Sequence, residues 1–172
     1  MYSRHMSQLA EKIALDAIDR KLVALLVDDA RMTYQELGRA VRLSANTTAD
    51  RVRRLHSSGV IRGYHAAIDH RAVGRPLNLI SELRLREGYD NAEFDRNLAA
   101  IPQIVEAFRT TGEYDYQIRL ACTGIDEFEH ILAILKGEHG VREVRTRLLL
   151  HDIPMPAARI LDPPAGPKGL SS

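Results

Sequence analysis

Apolar positions in the first third of the chain recur at helical spacing. The stretch LDAIDRKLVALLVDD (15–29) has apolar residues at intervals of three and four, which predicts an amphipathic helix. The motif TYQE predicts a second helix, because Thr33 and Glu36 can each bond the other's backbone amide. Ser44 is a favourable N-cap for a third helix, and Gly59 should end it. Two helices separated by so few residues predict a helix-turn-helix.

The pattern changes after a connector at 69–76. LNLISELRLRE alternates apolar and polar residues, which predicts a strand. Further strands are predicted in QIVEAFRTT, YDYQIRLACT and VREVRTRLLLHDI, and helices in DNAEFDRNLAAIP and DEFEHILAILKGE, with capping boxes at Asp90/Glu93 and Asp126/Glu129. The order β-α-β-β-α-β predicts a ferredoxin-like sandwich. The segment VIRGYHAAID (60–69), between the two patterns, predicts a strand or a hairpin edge.

Charge is distributed unevenly between these two parts. The net charge is only +1 over 172 residues, so no whole-molecule field favours nucleic acid. Residues 39–62 nevertheless hold six arginines, no lysine and one acid, a local charge of +5. The rest of the chain is therefore net acidic, which indicates two modules with different partners.

The arginine-rich third helix is a candidate DNA-recognition helix. A guanidinium binds phosphate or guanine through two bonds and stays charged, and the first residues of such a helix reach base edges in the major groove. The alternative is a solvated helix face, but the absence of lysine and of a balancing glutamate after Glu36 argues against it. The predicted DNA-binding residues are Arg42, Ser44, Asn46, Thr47, Asp50, Arg51, Arg53 and Arg54.

The stretch RTTGEYDYQIR, between two predicted strands, is a candidate ligand site. Gly112 suits a turn, Glu113 and Asp115 could accept from an ammonium group, and the turn amides with Thr110 or Thr111 could bind a carboxylate. These groups complement a free amino acid. A hairpin turn with acids facing water explains the same residues, and the chemistry alone leaves both interpretations open.

The sequence contains none of the motifs that we would expect of an enzyme or of a metal site. The seven histidines form neither an HExxH motif nor a pair four residues apart, and the single cysteine excludes an intrachain disulfide. Nucleophile-elbow, phosphate-loop and dinucleotide glycine motifs are also missing from the sequence. We therefore predict no catalytic residue, no metal and no cofactor.

The stretches LDAIDRKLVALLVDDAR, LSANTTADRVRRLHSSGVIRGYHAAID, GEYDYQIRL and GVREVRTRLLL together resemble the Lrp/AsnC (leucine-responsive, or feast/famine) family of transcription regulators. The resemblance implies a winged helix-turn-helix, dimers that assemble further, commonly into octamers, and a small effector, usually an amino acid, bound between dimers near the turn and the last strand. The effector residues are then Thr110, Thr111, Gly112, Glu113, Tyr114, Asp115 and Thr146. Val144 and His139 depart from the family pattern, which leaves the identity of the effector open.

The expected protein is α+β, with an N-terminal winged helix-turn-helix joined to a C-terminal ferredoxin-like βαββαβ sandwich. The expected segments are an extension (1–14), the DNA-binding domain (15–62), a connecting strand or hinge (63–76), the effector and oligomerisation domain (77–153) and a Pro/Gly-rich tail (154–172) that we expect to be loosely ordered.

The expected function is sequence-specific regulation of amino-acid metabolism genes from a roughly palindromic DNA operator in the cytoplasm, at the nucleoid. An architectural DNA-organising protein without an effector is the main alternative. An enzyme with an appended binding module and a protein-interaction module are two others.

Overall fold

A computed structural model describes residues 14–153, 155 and 157–161. Nearly all of the expected N-terminal extension and most of the expected tail lie outside these residues. The described chain forms two compact units, and each is considered by itself. The first contains the residues up to Ala66 together with the described tail residues, and the second spans Ala67–Ile153.

Three α-helices are present within residues 14–66: α1 (Ala17–Asp28), α2 (Tyr34–Val41) and α3 (Ala45–Ser57). Their inward-facing side chains form one apolar core, because each helix places an apolar residue on one face every three or four positions. The core consists of Leu22, Leu26, Leu37, Val52, Leu55 and Ile61. Ser58 caps α3 and Gly59 follows with a φ of 76°, which confirms the predicted helix end.

A tight turn joins α2 to α3 and completes the predicted helix-turn-helix. Arg42 caps α2 in the left-handed region, with a φ of 59°. Gly38 permits the close approach of the turn, because a Cβ there would lie 2.7 Å from the carbonyl oxygen of Leu43. The Ser44 hydroxyl accepts from the amide of Thr47 at 3.1 Å and starts α3, as predicted.

The start of α2 carries a reciprocal capping box, again as predicted. The Thr33 hydroxyl accepts from the Glu36 amide at 3.3 Å, and the Glu36 carboxylate accepts from the Thr33 amide at 2.7 Å. These two bonds satisfy backbone donors that the helix itself leaves free.

We expect Thr33→Ala to lower the free energy of unfolding by about 1 kcal/mol, the usual cost of losing such a cap. Urea denaturation followed by circular dichroism measures it. Gln35→Ala, an exposed change in the same helical turn, is the control and should have little effect. Equal stability of Thr33→Ala and wild type would contradict the capping role.

The second unit contains a four-stranded antiparallel sheet in the order β2-β3-β1-β4. Its elements, in chain order, are β1 (Leu77–Leu85), α4 (Asn91–Ala99), β2 (Ile104–Arg109), β3 (Tyr116–Cys122), α5 (Ile125–Gly137) and β4 (Val141–Leu148). This topology confirms the ferredoxin-like prediction.

Both helices of this unit pack on one face of the sheet. Alternate strand residues meet the helices there, since successive side chains of a strand point to opposite faces. The shared core includes Leu79, Leu83, Ile118 and Leu120 from the strands and Phe94, Leu98, Phe128, Ile131 and Leu135 from the helices. The other face, which we call the outer face, carries Ile80, Glu82 and Arg84 of β1.

The expected strand or hairpin edge at 60–69 is wrong, and so is the strand expected in the connector at 63–76. Residues 60–69 have no strand assignment, and a turn occupies 70–74. A strand requires a neighbour to complete its hydrogen-bond ladder, and the four strands of the sheet pair only with one another. The β-rich composition of this segment therefore does not produce a wing within the described chain.

Two predicted capping boxes, the end of the last strand and part of the tail also differ from what the sequence predicts. Asp90 accepts only from the Ala92 amide, without the reciprocal Glu93 bond, and α5 begins after Gly124, so Asp126 is not its cap. β4 ends at Leu148, and the Leu149 amide makes one further bond to the Asn78 carbonyl of β1 at 2.9 Å. In the tail that we expected to be loosely ordered, residues Ala157–Leu161 form a short 3₁₀ helix that contacts α1.

At the start of α5, Glu127 and not Asp126 is the acid that binds the preceding backbone. Its carboxylate also connects three segments of the chain, those of Thr123, Gln103 and Arg75. Its carboxylate accepts from the Thr123 amide at 2.7 Å, from Gln103 Nε2 at 2.7 Å and from Arg75 at 3.1 Å. The bond from the Thr123 amide, followed by the bonds from the Gln103 and Thr123 side chains and from Arg75, lowers the pKa of Glu127 to about 2. The carboxylate therefore stays charged and fastens the connector residue Arg75 to the sheet unit.

Candidate nucleic-acid interface and effector turn

One side of α3 faces away from the three-helix core. Thr48, Ala49, Val52 and Leu55 are buried, whereas all of the DNA-binding residues predicted on α3 except Arg51 are exposed. These exposed residues are Asn46, Thr47, Asp50, Arg53 and Arg54. The arrangement leaves the first turn and the polar side of α3 accessible to a groove of DNA.

The residues around the start of α3 are arranged as an N-terminal anion site would require. Ser44 caps the helix, and its hydroxyl also lies 2.8 Å from the Thr47 hydroxyl oxygen. The exposed side chain of Arg42 lies two residues before this cap. A helix start with free amides and a nearby guanidinium suits a phosphate group.

Two of the predicted DNA-binding arginines instead have internal acidic partners. Arg51 donates to Asp16 at 2.7 Å and to Asp19 at 2.8 Å, and Arg54 donates to the other Asp19 oxygen at 2.6 Å. Asp19 is buried, with 1% of its surface exposed. The Asp19 amide and then the Arg51 side chain lower the pKa of Asp16, and both acids raise the pKa of Arg51.

Sequence reasoning missed these acids because they lie on another helix. Asp16 and Asp19 precede their partners by 32 to 35 residues, so a search for balancing acids near the arginines does not find them. With both aspartates included, the local charge falls from +5 to +3. The argument that acids are missing around this helix is therefore wrong, although a positive surface remains.

Arg53 has a much weaker attachment. Its partner is Asp50, three residues earlier on the same exposed side of α3, and the two side chains are 67% and 69% exposed. Exposed pairs of this kind contribute about 0.2–1 kcal/mol and are screened by salt. Arg53 can therefore leave Asp50 for a phosphate at little cost.

The predicted effector turn is a closed hairpin between β2 and β3. The Thr110 amide donates to the Asp115 carbonyl and the Thr110 hydroxyl to the Tyr114 carbonyl, both at 2.8 Å. Gly112 has a φ of 112°, a conformation that favours glycine. Thr111 and Gly112 are exposed at the tip, so their backbone is open to a small ligand.

Both acids of the turn already have partners. The carboxylate of Glu113 lies 3.0 Å from Arg84, and one oxygen of Asp115 accepts from the Leu85 amide at 2.8 Å. Tyr114 is buried and donates to Glu143 at 3.0 Å, a bond that raises the pKa of Tyr114. The turn is thus preorganised by the protein itself, and Asp115 is exposed while held in position.

Thr146 does not join these residues within one chain. Its hydroxyl lies 2.8 Å from that of Ser81, on the face of the sheet that the helices cover. Tyr114 instead contacts Arg84 and Arg145 on the outer face.

Sequence reasoning missed Arg84, Glu143 and Arg145 around the turn. Arg84 and Glu143 stand opposite each other in the β1–β4 register, and Arg84 lies 3.2 Å from that carboxylate. Alternation along β1 and β4 places these charges on one face, but only the register shows that they meet.

Among the described residues, no group of three or more His, Cys, Asp or Glu side chains is arranged to hold a metal ion. None of the described helices is both long enough and apolar enough to cross a membrane.

Comparisons with known proteins agree with this architecture. The AsnC-type helix-turn-helix domain matches residues 15–56, and the Lrp/AsnC ligand binding domain matches residues 79–155. The chain is 30% identical over 139 residues to the HTH-type transcriptional regulator FL11 of Pyrococcus horikoshii, covering 81% of this chain and 91% of that protein. It is 32% identical over 145 residues to the leucine-responsive regulatory protein of Rhizobium meliloti, covering 83% and 93%.

A solved structure shows the same fold. The transcriptional regulator NMB0573 of Neisseria meningitidis, crystallised as a complex with L-Met, superimposes with a TM-score of 0.77 at 28% identity, covering 84% of this chain and 96% of that one. The chain belongs to the Lrp/AsnC family, which confirms the resemblance, and it is a transcriptional regulator with a DNA-binding and a ligand-binding domain. Both of the curated relatives named here are regulatory proteins.

Proposed function

We propose that this protein binds a specific DNA operator through α3 and that an amino acid modulates the binding. The observation that carries the DNA proposal is the exposed first turn of α3, which the Ser44 cap and the Gly38 turn hold in place. Asn46 and Thr47 would contact base edges, and Arg42, Arg53 and Arg54 would contact phosphates. Ser44 and Asp50 would border the same surface.

The proposed operator is roughly palindromic because the protein is proposed to bind as a dimer. Two copies of α3 would enter successive major grooves about 34–36 Å apart, or a multiple of that distance. The outer face of the sheet supports self-association. Neither helix of the sheet unit covers it, and it carries Ile80 and the largely exposed Phe108. Further assembly, up to octamers, would add avidity on one DNA.

Selection of bound duplexes from a randomised pool tests the DNA proposal. We expect an enriched, roughly palindromic sequence whose half-sites are separated by whole turns of DNA. Enrichment of bent or flexible sequences without a common half-site would favour the architectural alternative. Recovery of no sequence above background would contradict specific recognition.

The effector is proposed to bind at residues 110–115 in the assembled protein. Three observations support this site: the match to a ligand-binding domain, the L-Met complex of the Neisseria regulator, and a turn whose tip amides and Asp115 complement an amino acid. Thr146 would contribute to the site only by acting on the turn of another copy. The proposed targets are genes of amino-acid metabolism, regulated at the nucleoid in the cytoplasm.

We expect Asp115→Asn to weaken binding of the preferred amino acid at least tenfold, because a carboxylate is exchanged for an uncharged amide opposite the ligand's ammonium group. The asparagine oxygen can still accept from the Leu85 amide, so the turn should keep its shape. Calorimetric titration with each of the common amino acids identifies the ligand and measures the loss. Asp126→Asn, an exposed acid of the same unit, is the control. Equal affinities of Asp115→Asn and wild type would rule out this carboxylate as the ammonium partner.

A further inference from the structure

The arginines of α3 differ in the acidic partners that they already have within the protein. Arg51 is bonded to two carboxylates of α1, and its side chain is only 25% exposed. One of those carboxylates, Asp19, is buried, and it bonds Arg51 and Arg54. Arg51 makes both bonds through Nη1, so an outward movement of this largely covered side chain toward a phosphate would break both and leave Asp19 to Arg54.

Arg53 and Arg54 face no such loss. Among the described residues, the ion-pair partner of Arg53 is the exposed Asp50. Arg54 uses one guanidinium nitrogen for Asp19, and its side chain is 57% exposed. A guanidinium has five N–H donors, so Arg54 can bind a phosphate while it remains bonded to Asp19.

The geometry of Asp19 adds a positional constraint on α3. Its two oxygens accept from residues 51 and 54, one helical turn apart on the same side of α3. Rotation of α3 about its own axis, relative to α1, would break both bonds together. The arrangement therefore fixes which side chains of α3 face outward.

We infer that Arg51 is a positioning residue that Asp16 and Asp19 withdraw from DNA, and that Arg53 and Arg54 make the phosphate contacts of α3. This inference rests on the proposed function, in which α3 binds DNA. In the arginine cluster of α3, Arg51 would thus hold α3 against α1, and Arg53 and Arg54 would form the anion-binding surface.

The salt dependence of DNA binding distinguishes these roles. Each phosphate contact contributes about 0.9 to the slope of log K against log salt concentration. The matched variants are Arg51→Met and Arg53→Met, which each remove one guanidinium and keep an apolar stem. The probes are the best duplex from the randomised pool and a shuffled duplex of the same composition, titrated at several salt concentrations by fluorescence anisotropy.

We expect Arg53→Met to lower the slope by about 0.9 and to weaken both duplexes by a similar factor. We expect Arg51→Met to keep the wild-type slope and to weaken the selected duplex several-fold more than the shuffled one, because α3 is no longer held in register. The double variant D19N/R51M, which removes the unpaired carboxylate as well, should also keep the slope. It preserves the test if Arg51→Met alone does not fold.

A fall of about 0.9 in the slope of Arg51→Met or of D19N/R51M would show that Arg51 binds phosphate and would overturn the inference while leaving the proposed function intact. Equal weakening of both duplexes by Arg51→Met would also overturn the positioning role. If the wild-type protein binds neither duplex at low salt, the proposed function itself fails.

Discussion

The double substitution R42E/R53E should abolish measurable operator binding, with a loss of roughly 100-fold or more. Each substitution removes a proposed phosphate contact, which weakens binding to every sequence, and the new glutamates also repel the DNA. Arg42 and Arg53 are both exposed, and neither contacts the buried Asp19, so the three-helix core should remain intact. Anisotropy titration of the selected duplex measures the loss, and thermal unfolding should be close to that of wild type.

The control for R42E/R53E is R96E/R142E. It changes the net charge equally at two exposed arginines of the sheet unit. We expect it to reduce affinity only slightly, since exposed charges more than about 10 Å from the DNA are largely screened. A comparable loss from both double variants would mean that overall charge, and not the surface of α3, determines binding.

The second large expected effect is a pH dependence of stability that arises from Glu127. Its pKa is lowered from the ordinary value of 4.5 to about 2 in the folded protein. A depressed folded-state pKa stabilises the protein above the unfolded-state value, and the contribution is lost as pH falls through the folded value. The size of this shift corresponds to at most about 3 kcal/mol, because solvent screens a partly exposed carboxylate. We expect wild type to lose up to this amount between about pH 4.5 and pH 2 through Glu127.

Glu127→Gln should be less stable than wild type by up to about 3 kcal/mol at neutral pH, and the difference should disappear near pH 2. Denaturant unfolding at a series of pH values measures both curves, and their difference isolates Glu127 from other carboxylates. Glu129→Gln, an exposed acid of the same helix, should follow the wild-type curve. A constant difference between Glu127→Gln and wild type at all pH values would contradict a charge-based clamp.

Features that depend on neighbouring residues in sequence could be predicted. The Thr33/Glu36 box, the Ser44 cap and the Gly59 helix end each involve groups within a few residues. Alternation along β1 and helical spacing along α4 and α5 gave the ferredoxin-like order for the same reason. These features are local, but a local pattern was not always sufficient, since the capping boxes expected at Asp90/Glu93 and Asp126/Glu129 do not form.

Features that depend on pairing between distant segments could not. The segment at 60–69 has strand composition but no strand beside it in the described chain. The Asp19 pairs with Arg51 and Arg54 join helices 32 and 35 residues apart. The resemblance places Thr146 in an effector site between dimers, and only the register shows that its side chain lies on the helix-covered face with Ser81.

Salt-dependent binding of the wild-type protein to DNA tests the central claim most directly. The probe is a duplex from the region upstream of the chain's own coding sequence, compared with its shuffled counterpart by fluorescence anisotropy. The account predicts selective binding whose log K falls steeply with log salt, by about 0.9 for each phosphate contacted, and which one amino acid alters. Binding that is weak, equal for both duplexes and insensitive to salt would contradict a regulator that recognises DNA through the arginine surface of α3.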